Sequence, residues 1–299
     1  MPNLKEVRNR ISSVGSTMQI TSAMKMVSAA KLKRAQDAIT QMRPYANKLK
    51  EILQNVSAGL DASENAFARQ TNSKNILLVC VSSNRGLAGG FNANVIKKTW
   101  SLIKNEYSEN NVSVLSIGKK ASDAFKRTEY GVHGVHDEAG LHGDDLPDLI
   151  GIYDHLNYES VSKIAERLMI AFLNKEFDKI VIVYNQFKNA AIQIVQDEQF
   201  LPILPTSEGK SSSVDYIFEP SKEFIISDLI PRSLKTQFYK SLLDSVASEN
   251  GARMTAMHKA TDNAKDMLRD LKISYNKARQ TAITTEILEI VAGAEALNG

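Results

Sequence analysis

One stretch of this chain has the residue types that phosphate chemistry uses. The segment "SSNRGLAGGFN" (82–92) carries Gly86, Gly89 and Gly90 between an apolar run of strand length and a helical pattern. Glycines at such a junction allow a phosphate to approach the backbone, and a helix N-terminus favours an anion. The chain, however, contains neither the order G-x-G-x-x-G nor G-x-x-x-x-G-K-[ST]. We therefore expect the three glycines to form a tight structural turn and not a nucleotide site.

Residues that could hold a metal or act as a nucleophile are few. Cys80 is the only cysteine and lies within the apolar run "NILLVCV" (75–81), which predicts a buried structural residue. No disulfide can form within the chain, which suits a reducing compartment. The histidines show no metal-ligand spacing within a helix, so we expect solvated side chains and neither metal nor cofactor. They are His133, His136, His142, His155 and His258.

The middle of the chain must position any such site, and its pattern predicts an α/β domain over residues 75–220. Short apolar runs predict strands, and helical stretches lie between them, which indicates an open, mostly parallel α/β layer of Rossmann-like type. The predicted strands are 76–81, 112–117, 179–184 and 191–204, with a possible last strand at 214–220. The predicted helices lie near 92–108, 119–127 and 159–176, and the predicted loops at 131–148 and 205–213.

The two ends of the chain predict very long helices. In the first, over residues 1–57, an apolar seam runs at heptad spacing from Leu4 to Met18 and is expected to shift to Ile20, Met24 and Val27. Pro44 is expected to kink or break this helix.

The second long helix, within residues 221–299, is predicted to begin near residue 229, with Ser227 or Asp228 as its cap and Pro231 in its first turn. A heptad seam extends from Met254 to Ala282. At 1.5 Å per residue the two helices would reach on the order of 80 and 100 Å, so the simplest arrangement is a long antiparallel coiled coil with the α/β domain inserted. Gly251 is expected to loosen this rod locally.

Charge is unevenly distributed along the chain. The whole chain has a formal net charge of +3, but residues 1–57 contain ten basic against three acidic residues, a net of +7. Such a segment favours an acidic protein, an anionic membrane or nucleic acid as partner. No run of about 18 apolar residues predicts a membrane span. No secretory signal pattern opens the chain.

Three stretches together resemble the gamma subunits of F-type rotary ATP synthases. They are "ITSAMKMVSAAKLKRAQ" (20–36), "SSNRGLAGGFNANV" (82–95) and "SVASENGARMTAM…YNKARQTAITTEILEIVAGAEAL" (245–297). The resemblance covers the chain from end to end, and it implies a central-stalk rotor subunit without catalysis of its own. It also implies that rotation of the c-ring is coupled to conformational cycling of catalytic sites on the beta subunits. Asn84 departs from the family, which usually has Asp there.

The resemblance also implies partners, contact residues and a location. The partners are the alpha, beta and epsilon subunits and the c-ring, with no nucleic acid. The location is peripheral, on the cytoplasmic face of a bacterial inner membrane. The residues that match the family's beta-subunit contacts are Met24, Lys25, Arg279, Gln280, Thr284 and Glu286.

Two other classes of protein fit parts of the sequence less well. A dinucleotide-binding enzyme with a coiled-coil arm is disfavoured because the glycine fingerprint is missing. A basic coiled-coil protein that binds nucleic acid is disfavoured by the small overall charge and by the few aromatic residues on the basic helix.

Overall fold

The computed structural model describes residues 4–57, 66–69, 74–132, 148–153, 156–203 and 222–298. Within these ranges, one very long helix comes before a segment of alternating strands and shorter helices, and a second very long helix comes after it. The helices are α1 (Leu4–Ser57), α2 (Phe91–Ser101), α3 (Lys119–Phe125), α4 (Tyr158–Leu173) and α5 (Lys222–Asn298). The strands are β1 (Asn75–Val81), β2 (Asn111–Ile117), β3 (Lys179–Phe187) and β4 (Gln193–Leu201). The predicted strand at 214–220 and the loops at 205–213 and 133–147 lie outside the described residues.

The four strands form one mixed sheet in the order β2-β1-β3-β4. β1 pairs in parallel with both β2 and β3, whereas β4 returns antiparallel along the outer edge of β3. The predicted open, mostly parallel layer is therefore confirmed. α2 ends in one π-helical turn (Leu102–Glu106), so the predicted helix near 92–108 is found in two parts.

The two central strands, β1 and β3, are buried on both faces, because their alternate residues point into two different cores. Leu77 and Val79 of β1 pack with α4 and with the first half of α5. Ile76 and Leu78 pack on the opposite side with α2 and α3. Cys80 belongs to this second core and is completely buried. Burial raises the pKa of its thiol to about 12, which suits a structural residue.

The chain divides into two compact units. The helix-pair unit consists of residues 1–28 and 253–299, and the sheet unit consists of residues 29–252. α1 and α5 each contribute residues to both units. In the described residues, no helix is long and apolar enough to cross a membrane.

The predicted shift of the seam in α1 is wrong. Ile20 is 59% and Val27 57% exposed, whereas Thr21 and Ser28 are buried, so the original heptad continues. Small hydroxyl side chains fit this seam because each bonds to its own helix: Thr21 Oγ1 donates to the Met18 carbonyl (3.1 Å) and Ser28 Oγ to that of Met24 (2.8 Å). A polar group whose hydrogen bond is satisfied costs little to bury.

The predicted break of α1 at Pro44 and the predicted start of α5 near residue 229 are also wrong. α1 continues through Pro44 to Ser57, and α5 begins at Lys222, which places Pro231 inside the helix and not in its first turn. A proline inside a helix costs roughly 3 kcal/mol. Next to Pro231, Ile230 and Leu234 are 1% and 2% exposed, so core packing offsets that cost.

Candidate partner-binding surfaces

The two long helices run antiparallel in the helix-pair unit, and three contacts define their register. Arg8 donates a hydrogen bond of 2.8 Å to the Tyr275 hydroxyl. Gly15 lies against Leu268, whose Cδ1 would be 3.5 Å from an added Cβ. Thr261 Oγ1 lies 2.9 Å from Thr21 Oγ1. The partners in α5 descend as residue numbers in α1 rise, as an antiparallel pair requires.

The seam predicted for α5 is confirmed up to Ala278. Its residues are the less exposed ones in this part of the helix: Met254, Met257, Thr261, Ala264, Leu268, Leu271, Tyr275 and Ala278. Ala282, the predicted next position, is exposed, and every residue from there to 296 is exposed as well. Among the described residues the seam therefore ends about one helical turn beyond the Arg8–Tyr275 contact.

Beyond that point α5 continues as an unpaired helix, residues 282–296, which we call the tip. It exposes large apolar side chains, between 48% and 69% of each: Ile283, Ile287, Leu288, Ile290 and Val291. Neighbouring large apolar side chains that are left exposed mark a binding surface. The heptad seam predicted from Met254 to Ala282 did not indicate where the partner helix stops covering α5.

The candidate contact residues of α5 lie at the base of the tip and within it. Arg279, Gln280, Thr284 and Glu286 are all exposed. Thr284 Oγ1 donates to the Gln280 carbonyl at 2.9 Å, so its oxygen remains available as an acceptor. At 100° per residue Gln280 and Thr284 share a face, and Glu286 lies about 160° beyond Thr284. Polar groups therefore point from the tip in more than one direction.

Met24 and Lys25, the candidate contact residues of α1, are both half-buried. Lys25 occupies a position of the heptad seam, between Thr21 and Ser28. A lysine at a seam position covers apolar surface with its stem while its ammonium group reaches water. The two residues therefore contribute to packing and also present atoms at the surface.

The loop after β1 in the sheet unit is held in place by a network of side-chain hydrogen bonds. Asn84 Oδ1 accepts from the Lys119 amide at 3.0 Å, and its Nδ2 donates to the Ile150 carbonyl. Asn92 Oδ1 accepts from the Ser83 amide at 2.9 Å. Asn84 uses both ends of its amide, which an ionised Asp cannot do. This chain thus has its own physical reason for Asn at the position where the family usually has Asp.

The positions of the glycines in and near this loop differ in how strongly the structure requires glycine. Gly89 has a φ of +56°, which favours glycine. A Cβ added at Gly86 would lie 4.0 Å from Lys120 Cε, so the space around Gly86 does not require glycine. Gly90 is the N-cap of α2, near the Asn94 amide. The most demanding glycine is Gly118, with a φ of +90° and the Ser82 carbonyl oxygen 2.3 Å from an added Cβ. Its position directly after a strand is the only sequence signal that could have identified it.

In the described part of the chain, no group of three or more His, Cys, Asp or Glu residues could hold a metal ion. His258 forms an exposed pair with Asp262 at 3.5 Å. The other four histidines lie outside the described residues.

Comparison with known proteins agrees with this description. A family model described as ATP synthase matches residues 3–297. The ATP synthase gamma chain of Christiangramia forsetii is 58% identical over 300 residues, and that of Flavobacterium johnsoniae is 60% identical over 304 residues. In both cases the match covers 100% of this chain and 100% of the relative.

Solved structures show the same fold. The chain is similar to one in the central stalk and c-ring structure of the Tetrahymena thermophila mitochondrial ATP synthase, with a TM-score of 0.55, 25% identity, and coverage of 81% of this chain and 99% of that chain. A chain of the Euglena gracilis mitochondrial ATP synthase in rotational state 3 has a TM-score of 0.68 at 20% identity, covering 98% of this chain and 94% of that one. Because the family model and the two bacterial relatives extend over essentially the whole sequence, the chain belongs to the family of ATP synthase gamma chains.

Proposed function

We propose that this chain is the rotor subunit in the central stalk of an F-type ATP synthase. The observation that carries the proposal is the helix pair that ends in the single exposed tip, 282–296. An unpaired helix with apolar groups and hydrogen-bonding groups on several sides is not stable alone in water and requires surrounding protein. A ring of alternating alpha and beta subunits is a partner of that kind.

Coupling by such a subunit follows from its asymmetry. Each beta subunit of the ring would meet a different side of the shaft and would therefore be biased towards a different conformation. Met24 and Lys25 on α1, and Arg279, Gln280, Thr284 and Glu286 on α5, are the residues that we assign to these contacts. The catalytic sites would lie on the beta subunits, and this chain would contribute no catalysis of its own.

The sheet unit would connect the shaft to the rest of the rotor. We assign the epsilon subunit and the c-ring as its partners, and a peripheral location on the cytoplasmic face of a bacterial inner membrane. In this division of labour, residues 1–57 and 221–299 form the shaft, and residues 75–220 form the domain that receives the torque. The relatives named as gamma chains support these assignments.

A rotation experiment tests the proposal. Alpha and beta subunits are assembled with this chain, the ring is fixed to a surface, and a bead is attached through a biotinylated cysteine at exposed Lys126. We expect unidirectional rotation of the bead when ATP is added. A chain that assembles with the ring while ATP hydrolysis proceeds without rotation would contradict the proposal.

A further inference from the structure

The strand order of the sheet defines a topological switch point, the position at which open α/β proteins bind ligands. β1 is connected through α2 to β2 on one side, and β2 is connected through α4 to β3 on the other side of β1. α2 and α4 pack against opposite faces of the sheet. The carboxyl ends of β1 and β3 therefore define the topological switch point, where ligands of such sheets bind.

In this chain a segment of α5 lies at the switch point. Ser248 Oγ donates a hydrogen bond of 2.9 Å to the carbonyl oxygen of Asn185, near the end of β3. The Asn185 amide in turn donates to the carbonyl oxygen of Phe91, the first residue of α2 (3.3 Å). Ala252 forms a small buried cluster with Phe91 and Ala88, which belong to the connection after β1.

Gly251 completes this contact. A Cβ at residue 251 would lie 3.2 Å from the Cα and 3.4 Å from the carbonyl oxygen of Ala190, in the turn between β3 and β4, and 3.4 Å from Phe187. That turn is itself held by Asn189, whose Oδ1 accepts from the amides of Ala191 (3.0 Å) and Ile192 (2.8 Å). Close packing against the hydrogen-bonded backbone of this turn thus requires glycine at residue 251. This contact, and not a loosening of the helix as the sequence suggested, explains Gly251.

Ser248, Gly251 and Ala252 are spaced three and four residues apart, so they share one face of α5. We call this face the α5 seat. Ser248 is completely buried and Ala252 is 8% exposed. Immediately after the seat, α5 continues into the helix-pair unit at Arg253.

We propose that the α5 seat is the joint through which the sheet unit turns the shaft, and that Ser248 and Gly251 are its positioning residues. The inference rests on the proposed rotor function. Close packing opposes rotation of a helix about its own axis, and directional contacts add to that resistance. Two such contacts are the hydrogen bond from Ser248 to Asn185 and the close packing of Gly251 against the backbone of Ala190.

The test uses the whole enzyme with this chain in place and a double variant, Ser248→Ala with Gly251→Ala. Two measurements are made: hydrogen exchange of the amides in the turn at 188–192, and the number of protons pumped per ATP hydrolysed in membrane vesicles. Loss of one neutral hydrogen bond corresponds to about a five-fold change in a local opening equilibrium. We expect exchange in the turn to rise at least about five-fold, with hydrolysis retained and the pumping ratio reduced.

Matched controls separate the joint from general damage. Ser241→Ala removes a buried hydroxyl from the same helix, one that bonds only within that helix, to Phe238 (2.8 Å). Gly86→Ala adds a methyl group 4.0 Å from Lys120 Cε, outside the helix pair. We expect neither control to change exchange in the turn or the pumping ratio.

The outcomes are distinguishable. Unchanged exchange in the double variant would show that the seat is not a joint, and raised exchange with an unchanged pumping ratio would show that it carries no torque. Either result overturns the inference. Failure of the parent chain itself to support coupled pumping would instead contradict the proposed function, while hydrogen exchange would still report on the seat.

Discussion

At the scale of single residues, the tip shows which groups a partner would meet. The Thr284 hydroxyl donates to the backbone of its own helix, so it offers an acceptor to a neighbouring subunit, while the Gln280 amide offers a donor and an acceptor. Each hydrogen bond to a neutral partner contributes about 1 kcal/mol, too little to hold a complex together. The same amount, lost from one rotational state only, changes a rate about five-fold.

We therefore expect the combined variant Gln280→Ala and Thr284→Ala to co-purify with alpha and beta subunits and to hydrolyse ATP more slowly. The measurement is steady-state ATP turnover of the purified complex. Thr40→Ala is the control, because this exposed threonine of the sheet unit bonds in the same way to its own helix, at the Gln36 carbonyl (2.8 Å). Parent-like turnover in the double variant would show that both residues are ordinary helix surface.

A second prediction at this scale concerns alkaline pH. Tyr184 is 2% exposed and donates to Glu198 Oε2 at 2.8 Å. Burial, followed by the charge of Glu198, raises the pKa of Tyr184 well above its ordinary value. The folded state therefore favours the protonated phenol, and its contribution is complete below the unfolded pKa of about 10 and lost as pH rises above it.

We expect the free energy of unfolding to fall above about pH 10, by up to roughly 1.4 kcal/mol per pH unit for this group. Urea denaturation at several pH values measures the slope. Tyr184→Phe should make the slope shallower than in the parent chain. An identical slope in Tyr184→Phe and in the parent would mean that this phenol does not control alkaline stability.

At the scale of elements, α1 provides the clearest comparison between neighbouring apolar residues. Leu32 is 6% exposed on the continued heptad seam, whereas Ile20 is 59% exposed beside it. We expect Leu32→Ala to lower the free energy of unfolding by about 2–4 kcal/mol, and Ile20→Ala by less than about 0.5 kcal/mol. Thermal or urea unfolding of the two variants measures the difference. Equal losses would indicate that the seam does shift after Met18.

The heptad of α1 also shows why the sequence predicts the presence of a helix or strand better than it predicts which side of that element is buried. The helix itself, its antiparallel pairing and the strands of the sheet follow from periodic apolar residues and were predictable. Thr21 and Ser28 were missed because polarity normally marks exposure, whereas a hydroxyl bonded to its own helix can be buried. The start of α5 was missed because Pro231 signals a first turn, yet tertiary packing overrides that local signal.

The candidate site was predictable only in part, for a related reason. The family resemblance pointed to the contact residues of the tip, but not to the place where α1 stops covering α5. That place depends on the register set by Arg8–Tyr275, and a repeating seam allows several registers. Gly118 was missed because its left-handed backbone results from the crowding of Ser82 against it, a contact between distant residues.

At the scale of the whole molecule, the sheet unit resembles a nucleotide-binding fold in which the chain's own helix lies at the binding edge. We therefore expect the purified chain not to bind ATP. Isothermal titration calorimetry at micromolar to millimolar ATP measures this, with a known ATP-binding protein as positive control. Micromolar binding that is stoichiometric and magnesium-dependent would contradict the expectation and would point to a phosphate site near Gly86–Gly90.

The contribution of α5 to the sheet unit has a consequence for biosynthesis. Leu234, Phe238 and Leu242 of α5 cover the same face of the sheet as Leu77 of β1, although they are made more than 150 residues later. During translation the part of that face that α5 covers stays open, beside α4, until nearly the whole chain has left the ribosome. We therefore expect nascent chains interrupted before residue 230 to expose apolar residues of the sheet and to be bound by chaperones or degraded.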